Sequence, residues 1–139
     1  MTLPEPEPGL VFRYDFLWRR EARAGRDTSK ERPACIAVAT ASEMISQRVV
    51  ILPITHSRPT GDTIGIELTA SVRRALGLDD QPCWVVVSEY NIDNWPNPGI
   101  APLPNSRTSF AYGFLPPDLF ERIKAEFLKR YDGRKAVRR

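Results

Sequence analysis

The chain has 139 residues, of which 42% are apolar and 27% are charged, a length and composition that exclude a disordered or fibrous protein and favour one folded domain. A net charge of +3 favours an anionic partner. No apolar run is as long as a membrane-spanning helix, and residues 1–8 lack the pattern of a secretory signal, so we expect a cytoplasmic protein without membrane contact.

The first predicted elements are a flexible, proline-rich lead over residues 1–8 and a strand over residues 11–17. In the strand, aromatic side chains alternate with charged ones, which is typical of one buried face. Residues 19–32 are polar and mostly basic and include Gly25, which indicates a long loop. Because long loops in compact domains are often functional, this loop is a candidate site.

Three further strands are predicted between residues 34 and 68. Residues 34–39 and 48–55 are apolar almost throughout, and the second segment is long enough to be a central strand. A turn over residues 41–47 connects these two strands. In residues 64–68 apolar side chains alternate with others, which predicts a fourth strand with one buried face.

A short helix is predicted next, because Thr69 is a typical N-cap and Gly77 is a typical C-terminal stop. A fifth strand covers residues 84–90. Residues 94–105 contain four prolines, each of which removes a backbone donor, and this favours a loop.

The last predicted elements are a short strand over residues 109–114 and an amphipathic helix that begins at Pro117. The apolar stripe of this helix consists of Leu119, Phe120, Ile123, Phe127 and Leu128. Residues 132–139 are rich in basic side chains and are predicted to form a disordered tail. Since hairpins need no long crossover, we expect a mostly antiparallel, strongly curved sheet or half-open barrel over residues 9–131, capped by this helix.

The cysteines do not indicate a metal centre. Cys35 and Cys83 lie in apolar segments, which predicts two buried free thiols. The single histidine, His56, is far from both in sequence, and the three residues do not have the spacing of a zinc site. The sequence therefore predicts neither a metal nor a cofactor.

One pair of residues points to phosphate chemistry. Arg32 stands just before the strand over residues 34–39, and Thr55 ends the strand over residues 48–55. If the two strands are antiparallel, both side chains share one end of the sheet. A guanidinium beside a hydroxyl suits a phosphate group. Alternatively, Arg32 is a surface residue paired with Glu31 or Asp27, and Thr55 is an ordinary strand-end hydroxyl.

Several short blocks, taken in chain order, carry a family resemblance. They are Pro8-Gly9, Arg32-Pro33, Pro53-Ile54-Thr55, Ile92-Asp93-Asn94-Trp95 and Gly113-Phe114-Leu115. With the strands that they flank, these blocks resemble the MazF/PemK family of toxin endoribonucleases from bacterial toxin–antitoxin systems. The resemblance spans most of residues 8–130, and its most specific part is the Arg-Pro block at this distance from the Ile-Thr block.

The resemblance implies a fold, an activity and partners. The fold is a compact, strongly twisted antiparallel barrel of the SH3-like type (MazF/PemK/CcdB-type), mainly β, with a short inserted helix and a C-terminal amphipathic helix. The activity is metal-independent cleavage of single-stranded RNA to a 2′,3′-cyclic phosphate and a 5′-hydroxyl, with Arg32 and Thr55 as the catalytic residues. The partners are single-stranded RNA, a second copy in a homodimer and a cognate antitoxin protein.

The predicted RNA-binding residues lie in the basic loop, directly after Thr55, and at one tryptophan. They are Arg19, Arg20, Arg26, Lys30, His56, Ser57, Arg58 and Trp95. The arginines and lysine would follow the phosphate backbone, and Trp95, next to a proline, would stack on an unpaired base. The basic loop could equally be a solvated face. His56 suits a general acid or base by its titration range, or is a solvated loop histidine.

The chain also departs from the family pattern. The segment Ser88-Glu89-Tyr90-Asn91 replaces a strand that carries an arginine in typical members. Glu89 itself is open to two interpretations, as a buried partner of Arg32 or Arg13 or as an exposed carboxylate. These departures leave three alternatives: a nucleic-acid-binding module without catalysis, a protein-inhibiting toxin similar to the CcdB type, or a protein-interaction domain of SH3-like shape.

Overall fold

A computed structural model describes residues 3–40 and 47–139 of the chain. The strands are β1 (Leu10–Asp15), β2 (Glu31–Thr40), β3 (Gln47–Thr55), β4 (Gly65–Leu68), β5 (Cys83–Val86), β6 (Asn91–Trp95), β7 (Ile100–Ala101), β8 (Ala111–Phe114) and β9 (Val137–Arg138). The helices are α1 (Arg19–Arg23), α2 (Ala70–Ala75) and α3 (Pro117–Arg130). The protein is therefore mainly β with a few helices.

The strands form one sheet that is antiparallel except at β9. Its main order is β4-β5-β3-β2-β1-β7; β6 also pairs with β3, β8 with β1, and β9 runs parallel to β6. The predicted antiparallel character is confirmed. Among the described residues the pairing does not close into a barrel, because β4 and β7, at the two ends of the order, do not pair with each other.

The central strand β3 changes its pairing partner near its C-terminal end. Gln47–Ile51 pairs with β6, whereas Ile54 and Thr55 pair with β5. Pro53 lies between these segments and has no backbone N–H to donate to a neighbouring strand. The end of β3 thus leaves β6 and pairs through Ile54 and Thr55 with β5 instead.

Most predicted elements are present with shifted bounds. Thr69 caps α2 as predicted, since its Oγ1 accepts a hydrogen bond from the Val72 N–H at 3.3 Å, and Gly77 follows the helix with a positive φ of 70°. The predicted strand over residues 84–90 is shorter, because β5 ends at Val86. The predicted loop over 94–105 holds the end of β6 and the short β7. The turn predicted over 41–47 lies outside the described residues, except for Gln47 at the start of β3.

Side chains pack into two clusters, and β1 contributes to both by alternation. Val11 belongs to the cluster that α3 covers with Phe120, Ile123 and Phe127, whereas Phe12 belongs to the other cluster. Leu119 packs at the edge of the first cluster, but Leu128 is 54% exposed, so the predicted apolar stripe of α3 is only partly buried. Both cysteines are buried free thiols, as predicted.

The chain termini also contact the sheet. Residues 3–8 form no regular element, but the Trp95 Nε1–H donates to the Pro4 carbonyl at 3.1 Å. Residues 132–139, predicted as a disordered tail, instead form a 3₁₀ turn over Gly133–Lys135 and the strand β9. Arg139 holds these residues against the sheet, because its largely buried guanidinium donates hydrogen bonds to several acceptors.

Arg139 connects three separate parts of the fold. Its guanidinium donates to the Tyr14 hydroxyl at 3.2 Å, to the Asp27 carbonyl at 2.8 Å and to the Asp15 carbonyl, and lies 3.5 Å from the Asp15 carboxylate. The Arg139 and Asp15 side chains are only 14% and 16% exposed. The contacts therefore join the C-terminal strand to β1 and to the loop before β2.

Replacing Arg139 with alanine is expected to destabilise the protein by about 2–3 kcal/mol, because it leaves the largely buried Asp15 carboxylate without its cation. Urea unfolding of the full chain would measure this change. Arg138→Ala is the matched control, since Arg138 is exposed and carries the same charge. Equal loss in both variants would contradict a special role for the Arg139 contacts.

Candidate functional site

A cleft of about 1040 Å³ opens at the end of the sheet where β2 begins and β3 ends. Four segments line it: residues 30–33 before and in β2, residues 54–60 at the end of β3, residues 76–79 after α2, and residues 103–106 after β7. The side chains of Trp18 and Tyr112 also line the cleft. The antiparallel pairing of β2 and β3 is what brings the first two segments together.

The structure brings Arg32 and Thr55 into this cleft, as the sequence pattern predicts. The β2–β3 register ends with Ala34 facing Pro53, and Arg32 and Thr55 each lie two residues beyond that pair, at the same end of the sheet. Both residues line the cleft. Thr55 is 8% exposed, and its Oγ1 accepts a hydrogen bond from the Ser57 N–H at 3.1 Å. Within the described residues the Thr55 hydroxyl donates no hydrogen bond, so its hydrogen is available for a ligand.

Arg32 has no ion-pair partner within the described ranges. Its Cζ lies over the Trp18 ring, 5.0 Å from the centroid, and its Nε is buried without a hydrogen-bond partner. Burial lowers the pKa of Arg32, but a guanidinium titrates so far above neutral pH that it stays charged. The alternative of a surface Arg32 paired with Glu31 or Asp27 does not hold, since the nearest cation to the Glu31 carboxylate is Arg13, at 3.8 Å.

The two terminal nitrogens of Arg32 differ from its Nε. Within residues 3–40 and 47–139 they make no hydrogen bond, and unlike Nε they are not enclosed. Because Arg32 lines the cleft, these two nitrogens are its donors available to a ligand. A guanidinium held in this way presents a pair of parallel N–H donors, which is the geometry that binds a phosphate through two oxygens.

Trp18, which the sequence analysis did not select, forms part of the cleft wall. It precedes α1, and its backbone N–H donates to the Glu21 carboxylate at 3.1 Å. The Glu21 carboxylate also accepts from Arg26, at 2.9 Å, and from the Ser29 hydroxyl, at 3.0 Å. Burial alone would raise the pKa of Glu21, but these contacts lower it below its ordinary value. An aromatic residue directly before the basic stretch was the available sequence signal.

The predicted RNA-binding residues divide into two groups. Those that line the cleft are Arg20, Lys30, His56, Ser57 and Arg58. Arg19 and Arg26 do not line it: Arg19 opens α1, where its backbone N–H donates to the Glu89 carboxylate at 2.9 Å, and Arg26 pairs with Glu21. The predicted basic loop is thus partly a helix, because α1 begins at Arg19.

Trp95 lies outside the cleft, contrary to the sequence prediction. It ends β6, is 6% exposed and packs edge-on against Phe12, with ring centroids 5.1 Å apart. The adjacent proline suggested an exposed loop, but strand alternation turns the Trp95 ring into the core. It has no free face on which a base could stack.

His56 is exposed, and both of its ring nitrogens are engaged. Its Nδ1 lies 3.0 Å from the Pro82 carbonyl oxygen, and its Nε2 lies 2.9 Å from the Asp79 carboxylate. Both partners are acceptor oxygens, so each contact can hold the ring through an N–H donor. These two contacts fix the position of the imidazole at the cleft rim.

Positive charge predominates in the cleft. Its cationic side chains are Arg13, Arg20, Lys30, Arg32 and Arg58, and its carboxylates are Glu31, Asp79 and Glu89. Of the carboxylates, Glu31 is near Arg13, Asp79 contacts His56, and Glu89 accepts from the N-terminus of α1. Glu89 is therefore the partner of neither Arg32 nor Arg13. The surplus of cations suits an anionic, extended ligand.

Comparisons with known proteins add no family to this geometry: the chain matches no protein-family model, no curated protein and no solved structure. Within the described residues, no three side chains of the metal-ligating types cluster closely enough to hold an ion. In the same part of the chain, every helix is too short or too polar to cross a membrane.

Proposed function

We propose that this protein is a MazF/PemK-like toxin that cleaves single-stranded RNA without a metal ion. The observation that carries the proposal is the placement of Arg32 and Thr55 together in a basic cleft, where the terminal nitrogens of Arg32 make no hydrogen bond to the described residues. The proposal includes the finer features that the family resemblance implies, namely an SH3-like relation of the fold, a homodimer, a cytoplasmic location and a cognate antitoxin.

The proposed reaction is an internal transfer of the phosphate group. The 2′-hydroxyl oxygen of a nucleotide bonds to the neighbouring phosphorus, and the bond from phosphorus to the 5′-oxygen breaks. The 2′-hydroxyl proton passes to a base, for which the cleft offers the Glu31 and Glu89 carboxylates, and the 5′-oxygen takes a proton from water. The products are a 2′,3′-cyclic phosphate and a 5′-hydroxyl end.

Arg32 and Thr55 have separate roles in this reaction. Negative charge builds on the non-bridging oxygens as the phosphorus becomes five-coordinate, and the two terminal nitrogens of Arg32 donate to these oxygens. Thr55 donates its hydroxyl hydrogen to a phosphate oxygen, while the Ser57 N–H bound to its oxygen fixes the position of the hydroxyl. Arg20, Lys30 and Arg58 bind the phosphates on either side, which places the reacting phosphate against Arg32.

A second candidate function is RNA binding without cleavage. The observation that favours it is the engagement of His56, the residue best suited to proton transfer near neutral pH, by Asp79 and the Pro82 carbonyl. In that case the cleft would hold the phosphate backbone but leave it intact.

The test is incubation of the purified protein with a long synthetic RNA in EDTA, followed by mapping of the ends. We expect discrete cuts that leave 5′-hydroxyl ends. Intact RNA that still binds the protein would exclude the ribonuclease and support the second candidate. Intact RNA without binding would exclude both functions.

A further inference from the structure

The orientation of the Arg32 side chain is not fixed by hydrogen bonds to the described residues. A long arginine side chain at the start of a strand has several rotamers, and a catalytic role requires one of them to dominate. Hydrogen bonds to protein groups usually select that rotamer. In the described ranges Arg32 makes none, and its Nε is buried without a partner.

The Arg32 guanidinium instead lies against the face of Trp18. The Cζ of Arg32 lies 5.0 Å from the centroid of that ring, within the range of a cation–π interaction. Arg20 lies farther from the same ring, with its Cζ at 6.0 Å. Trp18 thus touches Arg32 more closely than it touches the neighbouring cation.

Trp18 is itself held firmly. It is 9% exposed, and its ring packs edge-on against Phe16 at a centroid distance of 5.2 Å. Its backbone N–H is bound by the Glu21 carboxylate, and its carbonyl accepts from the N–H groups of Glu21 and Ala22, at 3.0 Å each. The indole is therefore a fixed surface at the start of α1 rather than a mobile side chain.

We propose that Trp18 is a positioning residue for Arg32. The indole face holds the guanidinium in one plane, so that the buried Nε lies on the protein side and the two terminal nitrogens point into the cleft. The catalytic consequence rests on the proposed ribonuclease function, whereas the orientation of Arg32 does not. Trp18 acts through Arg32 and does not itself contact the reacting phosphate.

The orientation is tested by NMR of the Arg32 Nε–Hε group, without any RNA. Because Nε is buried, its proton exchanges slowly with water, and a proton over an indole face is shifted upfield. The signal is assigned by its loss in Arg32→Lys. We expect an upfield signal in the natural protein, an ordinary arginine position in Trp18→Leu, and an intermediate one in Trp18→Phe. Phe12→Leu, which alters the same core cluster at a ring that packs on Trp95, should leave the signal upfield.

The catalytic consequence is tested with the same variants. We expect Trp18→Leu to lower kcat about 10–100-fold with little change in KM, since a misplaced group loses transition-state contacts but not ground-state binding. Trp18→Phe should recover most of that rate. A rise in KM alone would mean that Trp18 binds RNA directly, and this would overturn the positioning role.

The outcomes separate the two proposals. Two results would overturn the positioning of Arg32. One is an ordinary Hε chemical shift in the natural protein, which needs no variant of Trp18. The other is an Hε chemical shift that does not change in Trp18→Leu. If the Hε signal shifts in Trp18→Leu but kcat stays the same, the catalytic consequence is wrong. If the natural protein leaves RNA intact while the signal behaves as expected, the ribonuclease function fails and the orientation of Arg32 by Trp18 stands. If Trp18→Leu does not fold, Trp18→Phe decides by its intermediate shift.

Discussion

Arg32→Ala is expected to slow RNA cleavage by about 10²–10³-fold, because losing one pre-placed donor to a developing oxyanion costs about that much. The effect should fall on kcat, since Arg20, Lys30 and Arg58 still bind the phosphate backbone. Single-turnover cleavage of a short RNA with saturating protein measures the loss directly.

Two further variants make this prediction specific. Arg32→Lys keeps the charge but not the planar pair of donors, so we expect it to lose most of the rate while keeping most of the affinity. Arg23→Ala is the matched control, because Arg23 is exposed on α1, does not line the cleft and removes the same charge. Equal cleavage rates in Arg32→Ala and the natural protein would exclude Arg32 from the chemistry. Equal losses of cleavage rate in Arg32→Ala and Arg23→Ala would mean that only the net charge of the protein matters.

RNA affinity is expected to fall about 50-fold between 50 and 200 mM salt. Four cationic side chains of the cleft have no ion pair among the described residues; they are Arg20, Lys30, Arg32 and Arg58. Each phosphate that such a residue neutralises adds about −0.7 to the slope of log K against log salt for a single strand, which gives a total slope near −3. Fluorescence anisotropy with a labelled 2′-O-methyl RNA measures binding without cleavage, because this RNA lacks the attacking hydroxyl.

The matched comparison removes cations inside and outside the cleft. The double variant Lys30→Ala/Arg58→Ala should make the slope shallower by about 1.4, whereas Arg23→Ala/Arg138→Ala, with both changes away from the cleft, should leave it unchanged. A slope that changes equally in both would show that the net charge of the protein, rather than the cleft, attracts the RNA. A slope near zero in the natural protein would contradict phosphate binding altogether.

Much of the fold followed from local patterns in the sequence. The alternation in β1, the apolar run of β3 and the apolar stripe of α3 each reflect which side chains must leave water, and Thr69 and Gly77 bound α2 by their own backbone chemistry. Elements were missed or misplaced where local signals were weak. The helix α1 was taken for a loop because four of its five residues are charged, and the break after Val86 lies within an otherwise continuous strand pattern.

The candidate site was predictable only in its centre. Arg32 and Thr55 could be paired from the sequence, since antiparallel strands bring the start of one to the end of the other. Trp18 could not be found in this way, because it lies before α1 and not in a strand paired with β2, so strand register does not place its ring next to Arg32. The sequence reasoning also placed Trp95 outside the core, because the adjacent proline gave no sign that the ring faces Phe12.

The sequence by itself determined the class of the protein, a mainly β domain with an antiparallel sheet and a closing helix, because hydrophobic periodicity and capping depend on neighbours a few residues apart. It also determined that Arg32 and Thr55 share one end of the sheet. Only the tertiary structure decided what surrounds them. The ring of Trp18 against Arg32, the contact of His56 with Asp79, and the binding of Arg139 beside Asp15 join residues separated by 14, 23 and 124 positions, and no local pattern encodes such contacts.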